Sequence, residues 1–141
     1  MKTSARNALR GVVVAVTPGA VNSEVALKIA EGVEIVAIVT RQSVADLELA
    51  PGRQAIALIE ASSIILAPAG EALRTSARNR LSGVIDHCEE GAVNSEITMI
   101  LDAGKVLTAT ITRESARELD LRAGQPAVAL IKASHIILAV E

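Results

Sequence analysis

Ser4, Arg6, Asn7, Thr40 and Ser43 are hydrogen-bonding residues of one chemical kind, and each recurs seventy-two residues on, as Ser76, Arg78, Asn79, Thr112 and Ser115. Each set encloses a small-residue turn: Gly19, Ala20, Val21, Asn22 and Ser23, then Gly91, Ala92, Val93, Asn94 and Ser95. Hydroxyls, backbone N–H groups left open by small side chains and a guanidinium, converging on one point, suit a small tetrahedral oxyanion. The same residues also have ordinary uses. Ser4 and Ser43 can be caps, Asn22 a turn residue and Arg6 a surface charge.

Catalytic and metal-binding patterns are poorly supported. His87 and His135 occupy non-equivalent positions in the two copies, and no His-x-x-x-His or Cys-x-x-Cys spacing exists. Asp86-His87-Cys88-Glu89-Glu90 gathers ligand-type residues. Along a strand these alternate between faces, so they read as a solvated strand end rather than a metal site. Cys88 stands where the first copy has Val16 and reads as a small apolar filler. No carboxylate pair recurs in an arrangement for acid–base work. The sequence points to a binding protein rather than an enzyme, with no organic cofactor and no direct cation ligands.

The elements that must position the donors follow from period and punctuation. Residues 11–16 form a β-branched run ending at Pro18-Gly19, and residues 24–29 alternate apolar and polar as a half-buried strand. Residues 34–39 read as a third strand, and 41–47 as one short helix with Val44 and Leu47 on one side. After a turn at Pro51-Gly52, residues 54–59 and 63–66 are the last strands. Adding seventy-two maps this pattern onto the second copy without a gap, and about half the paired positions are identical. The expected fold is all-β: two tandem OB-like five-stranded β-barrels, each with one short helix. The domains are placed at residues 1–69 and 70–141, with Pro68-Ala69-Gly70 too short to let the halves wander.

Composition narrows the partners. Half of the 141 residues are apolar and none is aromatic, so the core must be built from Val, Ile, Leu and Ala. Each copy alone would have a marginal core, which predicts a tight repeat interface and an oligomer. Binding single-stranded nucleic acid needs aromatic platforms and a basic groove, whereas this chain has no aromatic residue and a net charge of −2. Neither nucleic acid nor membrane is an expected partner. Lys2, Arg6 and Arg10 before the apolar residues 12–16 faintly resemble a signal peptide, but the equivalent segment recurs at 76–88 and reads as structure. With one cysteine and no internal disulfide possible, a cytoplasmic location is expected.

Ser4-Ala5-Arg6-Asn7, Gly19-Ala20-Val21-Asn22-Ser23-Glu24 and Ile131-Lys132-Ala133-Ser134 resemble the motifs of the molbindin family, built of Mop (TOBE-type) domains, in its two-Mop form. The resemblance spans both copies. It implies a cytoplasmic homotrimer that holds molybdate, and tungstate similarly, for storage or homeostasis. One kind of site, at interfaces, would use Ser4, Arg6, Thr40, Ser43 and Ala61, and again Ser76, Arg78, Thr112, Ser115, Lys132 and Ala133. A second kind, around the threefold axis, would use Gly19 to Ser23 and Gly91 to Ser95. An alternative role is a regulatory effector module that presents an anion-dependent surface to another protein.

One departure from the pattern stands out. The first copy has Glu60 where the second has Lys132. A carboxylate beside a dianion is repulsive, so Glu60 must point away, be paired with a cation, or weaken its class of site.

Overall fold

The computed structural model describes residues 2–70 and 73–141. In the first repeat, β1 (Asn7–Pro18), β2 (Asn22–Ala30), β3 (Val33–Thr40), the helix α1 (Arg41–Asp46), β4 (Gln54–Ile59) and β5 (Ile64–Pro68) follow in order. The second repeats this with β6 (Asn79–Glu90), β7 (Asn94–Leu101), β8 (Val106–Thr112), α2 (Arg113–Glu118), β9 (Pro126–Ile131) and β10 (Ile137–Ala139). A short 3-10 turn precedes each last strand, Ala61–Ser63 and Ala133–His135. The OB-like, mostly β architecture expected from the repeat is therefore present. The first strand of each copy is longer than the apolar run that announced it, because Asn7-Ala8-Leu9-Arg10 also pairs with β4.

The strand order carries information that the period does not. The two antiparallel sheets run β10-β4-β1-β2-β3 and β5-β9-β6-β7-β8. Each sheet thus takes four strands from one repeat and its fifth from the other. β10 pairs with β4 through Ile137↔Leu58 and Leu138↔Ala57, and β5 pairs with β9 through Ile65↔Leu130 and Leu66↔Ala129. Each sheet curls until its edges approach, β10 packing near β3 and β5 near β8.

Alternation explains the core. Val25, Leu27 and Ile29 of β2 point inward, as do Ile97, Met99 and Leu101 of β7, and their neighbours face out. These side chains join Leu9, Val13, Ile35, Ile59, Leu66, Leu107, Ile131 and Leu138 in a single buried cluster drawn from both repeats. Each fully buried aliphatic side chain contributes roughly 1.5–3 kcal/mol, so sharing one core answers the marginal size of each copy. β1 crosses β2 closely at Gly11, and β6 crosses β7 at Gly83. A Cβ at Gly83 would lie 2.4 Å from the Ile100 carbonyl oxygen. Glu48 and Asp120, just beyond the helices, take left-handed φ of 54° and 51°, a place more often given to Gly or Asn.

Two buried asparagines fasten the repeats to each other. Asn7 donates through Nδ2 to the carbonyls of Ile59 (3.2 Å) and Thr108 (2.8 Å), and accepts at Oδ1 from the Thr108 N–H at 2.7 Å. Asn79 does the same with Ile131 (3.2 Å) and with the Val36 C=O (2.9 Å) and N–H (2.7 Å). Each amide side chain acts as a peptide group that pairs the outer strand of the other repeat. Asn7→Ala or Asn79→Ala strips these partners from partly buried backbone and should cost about 1–3 kcal/mol each. Urea unfolding measures this, and an unmoved midpoint would show that the amides are dispensable.

Candidate functional site

The Ser-Ala-Arg-Asn segment is held at both ends. Ala5 N–H donates to Thr3 Oγ1 at 3.2 Å and Ala77 N–H to Thr75 Oγ1 at 2.9 Å, which tightens the turn and leaves Ser4 and Ser76 exposed. Asn7 and Asn79 are buried one residue beyond the arginines, which places Arg6 and Arg78 on the surface. Each arginine meets a carboxylate of the other repeat. Arg6 donates from Nη1 and Nη2 to the two oxygens of Glu96, both at 2.7 Å. Arg78 pairs in the same way with Glu24 through Nη1, and through Nη2 at 3.4 Å. The arginine hydrogen bonds hold the carboxyls of Glu24 and Glu96 below the usual carboxylate range, against desolvation and helped by the arginine charge. The same bonds raise Arg6 and Arg78.

Thr40 and Thr112 cap the short helices. Thr40 Oγ1 accepts from Ser43 N–H at 3.0 Å and donates to Ser43 Oγ at 2.8 Å, and Thr112 and Ser115 repeat this at 3.1 and 2.8 Å. The Gly-Ala-Val-Asn turn abuts the same place. Gly19 N–H donates to the Asn22 carbonyl at 2.8 Å, Arg41 N–H donates to the Val21 carbonyl at 3.0 Å, and Asn22 is the register partner of Thr40. The second copy matches, with Gly91 to Asn94 at 2.9 Å and Arg113 to Val93 at 2.9 Å. A Cβ on Gly19 would lie 2.5 Å from the Asn22 oxygen, so the turn requires glycine. Ala20, Val21, Asn22, Ala92, Val93 and Asn94 are exposed, Val21 and Val93 at 73% and 74%, whereas Ser23 and Ser95 are buried. Among the described residues the Ser95 hydroxyl has no hydrogen-bond partner.

Ala61 and Ala133 are buried at the start of the 3-10 turns, with Glu60 and Lys132 exposed just before them. The strand exchange brings the second repeat's turn beside the first repeat's arm. Thr3, Ser4, Glu60, Ser63, Ser134 and His135 line one open cavity of about 390 Å³. Among the described residues Glu60 has no cationic partner, and the side chains of Ser4 and His135 make no hydrogen bond. Glu60 and Ser4 thus line the same cavity. Across the repeats, Asn79 fixes residues 78 and 131 against β3, and Asn7 fixes residues 6 and 59 against β8. In the sequence Glu24 and Glu96 stood out only as the last residue of the duplicated turn motif, and His135 only as one of two non-equivalent histidines, none with a binding role. The signal for the glutamates was their recurrence directly after the duplicated turn.

Comparison with known proteins agrees with this duplicated geometry. The TOBE domain model matches residues 3–66 and again 75–138. The chain belongs to the TOBE-domain family. It is 48% identical over 140 residues to the molybdenum-pterin-binding protein MopA of Rhodobacter capsulatus, covering 99% of this chain and 53% of that protein. It is 33% identical over 140 residues to the DNA-binding transcriptional dual regulator ModE of Escherichia coli (strain K12), covering 99% and 52%. The chain thus spans about half the length of these curated relatives. A solved structure of the cytoplasmic molybdate-binding protein ModG, with molybdate bound, superposes with a TM-score of 0.96 at 42% identity, covering all of both chains. None of these relatives is named as an enzyme.

The capping hydroxyls have a local consequence that can be measured. Thr112→Val removes the acceptor for Ser115 N–H and should cost about 1 kcal/mol, whereas Thr112→Ser should retain most of it. Thermal melts compare the two. Equal losses would mean that the hydroxyl does not cap α2.

Proposed function

We propose that this TOBE pair binds molybdate, and tungstate in its place, as a store or buffer of the oxyanion in the cytoplasm. The observation that carries the reading is the whole-chain similarity to ModG, solved with molybdate bound, combined with two sets of donors in this chain. Molybdate is fully deprotonated at neutral pH, so hydroxyls, backbone N–H groups and cations can surround it without an acceptor. Phosphate keeps a proton under many conditions and calls for one. Sulfate has the same charge and shape, and cavity size must exclude it.

In this reading the interface sites draw on Ser4, Arg6, Thr40, Ser43 and Ala61, and on Ser76, Arg78, Thr112, Ser115, Lys132 and Ala133. The turns Gly19–Ser23 and Gly91–Ser95 line sites around a threefold axis. A homotrimer supplies the missing walls. Val21, Val93, Ile65 and Ile137, all more than 60% exposed, support association of further copies. Anions enclosed between subunits would stabilise the assembly by mass action. The similarity to about half of ModE favours a second reading, an effector module whose anion-dependent surface acts on another part or protein.

Isothermal titration at fixed ionic strength tests the proposal. Saturable binding of molybdate and tungstate is expected, with sulfate at least about tenfold weaker. No heat and no competition from molybdate would reject it. Glu60 in place of Lys132 makes the copies unequal: Glu60→Lys should strengthen molybdate binding by about tenfold at its sites, and Lys132→Glu should weaken the others similarly. Unchanged affinity and stoichiometry in both variants would remove the asymmetry.

A further inference from the structure

Arg6 and Arg78 are not waiting open for a ligand. Each has its outer guanidinium edge taken by two carboxylate oxygens, those of Glu96 and Glu24, and each pair joins one repeat to the other. A carboxylate presents an arginine with the same pair of oxygens as one edge of a tetrahedral oxyanion. We propose that Glu24 and Glu96 are internal competitors, each occupying the arginine that an oxyanion needs and leaving it when the oxyanion binds. This rests on the molybdate reading above and adds to it the group that the anion must displace.

Three observations support displacement. The pairing is made twice, at positions related by the repeat, so it belongs to the design of the fold rather than to one side chain's wandering. All four side chains are about half exposed: Arg6 51% and Glu96 36%, Arg78 48% and Glu24 42%. Such ion pairs are weak and the freed carboxylate rehydrates at once, so a dianion can win. Finally, Glu24 and Glu96 follow Ser23 and Ser95 directly, and the Arg–Glu pair physically joins the Ser-Ala-Arg-Asn segment of one copy to the Gly-Ala-Val-Asn-Ser turn of the other. Release of the carboxylate at one kind of site is therefore felt at the edge of the other.

The test uses two tetrahedral anions of nearly equal size and different charge, molybdate and perrhenate, on the full chain and on Glu24→Gln/Glu96→Gln. Molybdate is titrated directly, and perrhenate by competition at high concentration. A displaced competitor costs every ligand the same. Both anions should therefore gain by one factor, roughly three- to fivefold per site. A carboxylate that stays beside the bound anion would repel a dianion twice as strongly, so molybdate would gain about the square of the perrhenate factor. That result overturns displacement. Weaker binding of both anions overturns it too, since the glutamates would then be positioning the arginines. Molybdate binding with no change in either affinity removes the competitor alone, whereas no molybdate binding to the unaltered chain removes the functional reading with it. Thermal melts of the variant verify that the fold is retained.

Discussion

The outer strand of a small curled sheet has peptide groups that the sheet itself does not pair, and in this protein the other repeat pairs them. Asn7 gives β8 a substitute peptide at Thr108, and Asn79 gives β3 one at Val36. Unpaired backbone in such partly buried places is costly, so each repeat needs the other. The exchanged strands β5 and β10 express the same dependence at larger scale, since each carries its apolar residues into a sheet begun by the other copy. One shared cluster results, and an aliphatic core without aromatic anchors becomes large enough to hold.

That constraint also composes the site. Because Asn7 and Asn79 reach across the repeats, the arginine one residue before each is brought to the opposite copy, where Glu96 or Glu24 meets it. Because the last strands cross over, Ser134 and His135 stand beside Ser4 and Glu60. The proposed donor sets are therefore composite within a single chain. The two copies differ here, one carrying Lys132 and the other Glu60.

Much of this was legible from residue types. Alternation in β2 and the turn at Pro18-Gly19 placed the early strands, and Val44 and Leu47 at helical spacing marked α1. The exchange was not legible, for a physical reason. Ile64-Ile65-Leu66-Ala67 and Ile136-Ile137-Leu138-Ala139 are the same four residues, so either segment could complete either sheet, and nothing in the pattern selects the partner. Asn7 was visible as a polar residue of the motif, but its burial was not. A strand end beginning in a donor-rich segment looks the same whether its amide faces a ligand or a neighbouring strand. The partners of Arg6 and Arg78 were hidden for a similar reason, because an exposed glutamate on an alternating strand carries no mark of what lies ninety or fifty-four residues away.

The central claim is that two repeats, completed by one another, present duplicated oxyanion donors whose sites are finished by further copies of the chain. Native mass spectrometry with and without molybdate counts subunits and bound anions in one experiment. The account predicts a trimer that carries several molybdate ions and dissociates less readily when loaded. A monomer that takes up no molybdate, or an assembly unchanged in mass by the anion, would contradict it.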